Sequence, residues 1–268
     1  MPIFVAGDGA ALHYDESGSG RTLVTLAGGA GRHPSYLGDL AGLPGHVVIP
    51  HLRGVGETPG PPLSYWQQAN DLEDLRKHLE LPRLDLVAHS AGTRLAMAYA
   101  AQYPAAVDSM LLITPPSAHL TDTPSDAAEI TAHRRGEPAF DAAVAAFARR
   151  PRTQSEFEGW QAATAPAGYA VWTERERAHS QVGTTELETL QAFFSVNPPP
   201  DFPQQLGKTQ ARVRIIAGAQ DFLTGLAPVL AAARLFAYGE AVVIDDCGHY
   251  PWVEQPLAFR RAADPFVA

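Results

Sequence analysis

The sequence contains one cysteine, Cys247, and only 18% of its 268 residues are charged. A single cysteine excludes an internal disulfide and a cysteine-based metal cage. The net charge of −9 leaves no basic stripe, which argues against nucleic-acid partners and against docking on anionic membranes. No apolar run reaches the length of a membrane span, and the N-terminus lacks the pattern of a secretory signal. We therefore expect a cytoplasmic protein with no membrane partner.

Metal and nucleotide motifs are also absent. The ten histidines form no HExxH motif and no zinc-ligand spacing with cysteine, so the sequence predicts no metal site and no cofactor. A glycine-rich stretch at 28–31 lacks the third glycine of a dinucleotide motif, and no Gly-Lys-Ser/Thr is present, which argues against nucleotide binding. The hydrophobic content of 46% fits one globular domain with room for an inserted subdomain.

Short apolar runs alternate with helical patterns in the first and last parts of the chain. Strands are predicted at 11–14, 23–27, 46–50, 84–88, 107–114, 213–217 and 241–244. Helices are predicted at 64–81, 91–103, 223–236 and 252–266. Repeated strand–helix alternation predicts an α/β fold, with a mainly parallel central sheet and helices on both faces.

The middle of the chain departs from this alternation. Residues 117–198 are helical or irregular in pattern, with no buried strand, and a run of three prolines at 198–200 marks the exit. A connection of this length is uncommon in a compact sheet unless it forms a lid or subdomain. We therefore predict a core domain of residues 1–116 and 199–268, with an inserted helical cap at 117–198. Helices packed outside the sheet are the alternative.

A nucleophilic serine is predicted at Ser90. An apolar strand runs into His-Ser-Ala-Gly and then directly into a helix, the context in which a sharp turn lifts a serine hydroxyl above the carboxyl edge of a sheet. The turn requires small residues two positions before and after the serine. Ala88 and Gly92 occupy these positions, with Ala88 in place of the usual glycine. The alternative reading of Ser90 is an ordinary helix N-cap.

Two later residues provide partners for the serine in the order that this fold uses. Asp221 follows one buried strand, and His249 follows the next. A serine needs a base, and the imidazole base needs a carboxylate to hold its tautomer. Gly248 is expected to give the backbone the freedom to turn His249 toward the serine. Asp245 and Asp246 are rival acids, but they lie too close in sequence to reach the ring from behind.

The glycine-rich stretch at 28–31 predicts an oxyanion hole. It closes the strand predicted at 23–27, and glycines let backbone N–H groups approach a tetrahedral intermediate closely. We predict that the amide of Gly29 is one donor. The amide of Ala91, immediately after the predicted nucleophile, is the second.

Together these motifs resemble the α/β-hydrolase superfamily over nearly the whole chain, and within it the proline iminopeptidase-like branch. The resemblance implies an α/β-hydrolase fold, an acyl-enzyme mechanism and no cofactor. The chain departs from the branch at Ala27 and Ala30, which replace a histidine and a proline. It also departs at His51, where the branch has aspartate, and at Ala91, where it often has tryptophan. The motifs that carry the resemblance lie at 27–31, 52–58, 88–92 and 247–251.

The leading functional hypothesis is hydrolysis of an ester, amide or lactone bond of a small molecule. An aminopeptidase is an alternative, because the 117–198 segment has eleven acidic residues against seven arginines and so could bind an ammonium group. A biosynthetic acyltransferase, cyclase or lyase using the same site is another, and a non-catalytic small-molecule receptor is a third. The residues predicted to form the substrate pocket are Gly28, His89, Trp160, Trp172, Phe194 and Tyr250.

Overall fold

A twisted sheet of eight strands organises the computed structural model, which describes residues 2–268. The strand order is β1-β2-β4-β3-β5-β6-β7-β8. The β1–β2 and β2–β4 pairs are antiparallel, and all other neighbours are parallel. The strands are β1 (Ile3–Val5), β2 (Ala11–Gly18), β3 (Thr22–Leu26), β4 (His46–Pro50), β5 (Leu84–His89), β6 (Val107–Ile113), β7 (Arg212–Gly218) and β8 (Tyr238–Ile244).

Hydrophobic cores form on both faces of the sheet, because successive strand residues point to opposite sides. Leu86 and Ala88 of β5 pack into one core, while Val87 between them packs into the other. This two-sided burial explains why the central strands are continuous apolar runs. The described part of the chain has eleven α-helices around the sheet: α1 (Tyr65–His78), α2 (Ala91–Gln102), α3 (Ala127–His133), α4 (Pro138–Ala146), α5 (Gln154–Thr164), α6 (Glu174–Ser180), α7 (Leu187–Phe193), α8 (Phe202–Leu206), α9 (Ala227–Ala232), α10 (Pro251–Glu254) and α11 (Pro256–Val267).

The predicted α/β fold class is confirmed, with local differences. β1 was not among the predicted strands. The predicted helix at 223–236 begins only at Ala227, because the preceding residues form a turn whose amides at Leu223 and Thr224 are bound by the Asp221 carboxylate. The predicted helix at 252–266 is two helices, broken at Gln255 because the next residue, Pro256, has no N–H to donate.

The segment 117–198 contains α3 to α7 and, among the described residues, no strand. Among residues 2–268, its one β-type contact with the rest of the chain is an isolated bridge between Arg32 and Thr185. Its Asp126 carboxylate accepts hydrogen bonds from the amides of Leu226 and Ala227 at the start of α9. The division into a core and a cap stays a prediction. Within residues 2–268, no helix combines the length and apolarity needed to cross a bilayer.

Candidate active site

Ser90 lies at the sharp turn between β5 and α2. Its backbone angles are φ 49° and ψ −121°, a conformation that non-glycine residues rarely adopt. Two interactions stabilise this strained turn. The Ser90 amide donates to the carbonyl of Ile113 at 2.9 Å, and α2 packs closely on β3. A Cβ at Gly92 would lie 2.5 Å from the Leu26 carbonyl oxygen, so only glycine fits there. The turn therefore displays Ser90 at the carboxyl edge of the sheet.

Asp221 and His249 are joined by a buried hydrogen bond. Nδ1 of His249 lies 2.8 Å from Oδ2 of Asp221, and the two side chains are 4% and 1% exposed. Oδ2 of Asp221 also accepts from the Thr224 hydroxyl at 2.5 Å, while Oδ1 accepts from the Leu223 amide at 2.9 Å. These donors fix the carboxylate, and the carboxylate in turn fixes the imidazole with Nδ1 as its donor.

Ser90 reaches the same sheet edge but forms no hydrogen bond with His249. Among residues 2–268, neither the Ser90 hydroxyl nor Nε2 of His249 has a hydrogen-bond partner. The ring of His89, which precedes Ser90, lies 4.8 Å from the His249 ring, measured between centroids. The structure therefore brings two of the three predicted catalytic residues into contact and the third into their neighbourhood. Catalytic hydrogen bonds are often long without substrate and tighten when it binds.

A chain of hydrogen bonds connects the glycine-rich loop, the Ser90 turn and the His249 loop. The Gly28 amide donates to the Tyr36 hydroxyl at 2.6 Å, and this oxygen lies 2.8 Å from Nδ1 of His89. Nε2 of His89 lies 3.0 Å from the carbonyl oxygen of His249. A carbonyl only accepts, so Nε2 carries the proton and Nδ1 accepts from Tyr36. Burial keeps the pKa of His89 well below its usual value, which matches this neutral tautomer.

Removing the Tyr36 hydroxyl tests this chain. In Tyr36→Phe, the Gly28 amide and Nδ1 of His89 both lose their partner in a buried site. We expect the free energy of unfolding to fall by about 1–3 kcal/mol in urea titrations. The matched control is Tyr103→Phe, whose hydroxyl donates to Asn70 at the surface and whose loss should change stability by less than about 0.5 kcal/mol. Equal effects of the two substitutions would contradict the assigned role of Tyr36.

The two amides predicted to form the oxyanion hole are free. Within residues 2–268, neither the Gly29 amide nor the Ala91 amide donates a hydrogen bond. Gly29 is exposed and has a φ of 72°. Ala91 is the first residue of α2. Gly28 differs from them, because its amide is already bound by Tyr36. A free amide at the N-terminus of α2, next to Ser90, and a free amide in the loop after β3 suit a developing negative charge.

A cavity of about 680 Å³ lies between the 117–198 segment and the His249 loop. Three predicted pocket residues, Trp160, Trp172 and Tyr250, line it, together with the aromatic rings of Phe147 and Tyr169. The other three do not: Gly28 and His89 belong to the hydrogen-bond chain, and Phe194 packs on an arginine of α2. The charged residues of the cavity wall are Arg32, Arg177 and Glu158.

Glu254 supports the His249 loop, a role that the sequence did not reveal. Its carboxylate accepts hydrogen bonds from the amides of Gly248, Tyr250 and Ala170, at 2.9, 3.0 and 2.7 Å. Burial raises the pKa of Glu254 to about 7, although the three donors act in the opposite direction. Glu254 thus binds the backbone on both sides of His249 and ties it to the 117–198 segment.

Gly248 is needed for a different reason from the one predicted. Its φ is not positive, so no unusual torsion turns His249. Instead, a Cβ at Gly248 would lie 2.8 Å from the Gly168 carbonyl oxygen, which also accepts a hydrogen bond from the His249 amide.

The residue before Gly248, Cys247, is fully buried, and burial raises the pKa of its thiol.

Comparisons with known proteins identify the family. The model of the family described as alpha/beta hydrolase fold matches residues 23–256. A protein of Mycobacterium tuberculosis without an assigned function is 36% identical over 70 residues, which are 25% of this chain and 20% of that protein. The chain thus matches only about one fifth of the length of its curated relatives.

Solved structures resemble the whole chain at low identity. An alpha/beta fold family hydrolase from Bacillus anthracis has a TM-score of 0.76 at 16% identity, over 99% of this chain and 98% of that one. An esterase from Rhodococcus has a TM-score of 0.76 at 20% identity, over 99% and 98%. A meta-cleavage product hydrolase from Pseudomonas fluorescens has a TM-score of 0.70 at 18% identity, over 99% and 97%.

The chain therefore belongs to the alpha/beta hydrolase fold family. This confirms the predicted superfamily, the fold class and the prediction of a hydrolase, while the proline iminopeptidase-like branch stays a prediction.

Proposed function

We propose that the chain is a serine hydrolase that cleaves an ester, amide or lactone bond of a small molecule through an acyl-enzyme on Ser90. The observation that carries the proposal is the buried hydrogen bond between Asp221 and His249, beside a serine held at positive φ. An Asp–His pair of this kind prepares a neutral imidazole to accept a proton through Nε2. No metal or cofactor is required for this chemistry.

In the first half of the reaction, the Ser90 hydroxyl attacks the substrate carbonyl while Nε2 of His249 takes its proton. The amides of Gly29 and Ala91 donate to the oxyanion of the tetrahedral intermediate. His249 then gives the proton to the leaving group, and the acyl-enzyme remains. In the second half, water attacks the acyl group with His249 again as base, which releases the acid and restores Ser90.

Ester or lactone hydrolysis is better supported than aminopeptidase activity. The cavity wall has one carboxylate, Glu158, against two arginines, Arg32 and Arg177. Ser90 and His249 do not line this cavity, but Tyr250, the neighbour of His249, does. An ammonium group held there would meet more positive than negative side chains, which disfavours its binding. The solved structures of similar fold include an esterase and a hydrolase of meta-cleavage products. An acyltransferase, cyclase or lyase would use the same residues with water excluded.

Covalent labelling with a fluorophosphonate probe tests the nucleophile. We expect a mass increase of one probe per chain, and no increase in Ser90→Ala. The same preparations are then assayed with para-nitrophenyl esters and with proline para-nitroanilide. We expect turnover of the esters and little or none of the anilide. Labelling that persists in Ser90→Ala would contradict the assignment of the nucleophile.

A further inference from the structure

Arg94, four residues after Ser90 in α2, is a partly buried arginine without an acidic partner. Its Nε is inaccessible to solvent and has no hydrogen-bond partner within the described chain. Its Nη2 has one hydrogen-bond partner, Nδ1 of His119 at 3.3 Å. No carboxylate forms an ion pair with it among residues 2–268, and burial lowers its pKa.

Other buried arginines of the chain have carboxylate partners. Arg53 forms an ion pair with Asp71 at 2.7 Å, and Arg134 forms one with Glu137 at 2.8 Å. An unpaired charge and an unsatisfied donor both destabilise a folded protein when they are removed from water. Arg94 thus retains a free donor and a positive charge without a counter-ion, a combination that suits an anionic ligand.

The position of Arg94 relates it to the nucleophile. Arg94 lies in the first turn of α2, which begins directly after Ser90, and long helical side chains lean toward the helix N-terminus. Here that terminus is Ser90. His119 lies in the loop that leaves the carboxyl end of β6, and the Arg94 guanidinium lies 5.0 Å from the ring centroid of Phe194, in the 117–198 segment. The guanidinium therefore lies between the sheet edge and the segment above it.

We propose that Arg94 binds a carboxylate of the substrate, so that the enzyme acts on small anionic esters, amides or lactones. The inference rests on the function proposed for Ser90 and adds the substrate class. A carboxylate offers two oxygens to the planar fork of an arginine, and Nη1, which has no hydrogen-bond partner among residues 2–268, supplies such a fork together with Nη2. Burial lowers the pKa of His119 to about 4, so its ring is neutral and leaves the arginine charge available for the ligand.

Three para-nitrophenyl esters of equal chain length test the proposal: the adipate monoester, the neutral hexanoate, and the ω-trimethylammonio hexanoate. We expect kcat/KM for the anionic ester to exceed that of the neutral ester by at least about tenfold, because a charge-assisted hydrogen bond is worth about that factor. The cationic ester should be the poorest. In Arg94→Gln and Arg94→Met the anionic preference should disappear, and Arg94→Lys should keep part of it.

Arg212→Gln is the matched control, because Arg212 also lacks an acidic partner and lies 5.2 Å from a phenylalanine ring, but at the far end of β7. It should leave the preference unchanged. Equal kcat/KM for anionic and neutral esters in the wild type would overturn the proposal, as would a preference that survives in Arg94→Met. Raised ionic strength should weaken the preference.

A binding experiment keeps this inference separate from the proposed reaction. In Ser90→Ala, adipate should raise the unfolding temperature, and the rise should grow with the logarithm of its concentration above the Kd. Hexanamide should not raise it, and Arg94→Met on the same background should abolish the effect of adipate. If Ser90 is unlabelled and no ester is hydrolysed, the proposed function fails, while adipate binding still decides the role of Arg94. Adipate that does not stabilise Ser90→Ala would overturn the carboxylate site.

Discussion

Replacing Asp221 by asparagine is expected to lower kcat for ester hydrolysis about ten-thousandfold while leaving the fold intact. The amide oxygen can accept from the Leu223 amide, as Oδ1 does now. The amide nitrogen then faces Nδ1 of His249 as a donor, and Nδ1 must become an acceptor. The imidazole proton moves to Nε2, which can no longer take the proton of Ser90.

The nearby acids of the β8 loop provide the controls for this prediction. Asp245 and Asp246 are exposed, and neither contacts the His249 ring. Asp245→Asn and Asp246→Asn should keep kcat within about twofold, because neither carboxylate orients the imidazole. The kcat of all three variants is measured at saturating ester concentration, and thermal unfolding checks that each variant is folded. Activity within about tenfold of the wild type in Asp221→Asn would exclude Asp221 as the orienting acid.

The free energy of unfolding should fall between pH 5 and pH 8 by up to about 3 kcal/mol because of Glu254 alone. Burial raises the pKa of this carboxyl from 4.5 to about 7, so the folded state binds its proton more tightly than the unfolded state. The resulting stabilisation is complete below pH 4.5 and is lost as the pH rises through 7.

Glu254→Gln isolates this contribution. Glutamine does not titrate, so the pH dependence of unfolding in urea should be flatter than in the wild type by the same amount. The variant should also be less stable at pH 5, because an amide nitrogen would face one of the amide donors at Gly248, Tyr250 or Ala170. Glu57→Gln, at an exposed glutamate, should reproduce the wild-type slope. An unchanged slope in Glu254→Gln would show that the pKa of Glu254 is not raised.

The parts of the fold that could be predicted from sequence are those encoded locally. The apolar runs at β5, β6 and β7 predicted the parallel sheet, and the small residues around Ser90 predicted its turn. In the structure, Gly92 is required because β3 passes within contact distance, which matches the expectation of a crowded turn. Asp221 and His249 could be paired in advance because the ends of parallel strands share one edge.

The contacts that the sequence did not reveal join residues far apart in the chain. Tyr36 and His89 are separated by 53 positions in the sequence, and Glu254 and Ala170 are separated by 84 positions. Nothing in the local pattern around Tyr36 or Glu254 distinguishes them from other loop or helix residues. The sequence pattern does not single out Arg94, because its lack of an acidic partner is visible only when all neighbours are in place.

The buried thiol of Cys247 gives this chain an internal reporter. It lies two residues before His249 and is shielded from solvent, and its raised pKa disfavours the reactive thiolate. A maleimide should therefore alkylate the folded protein only when the loop opens. The alkylation rate then measures how often the segment that carries the imidazole leaves its place, in a protein that needs no engineered label.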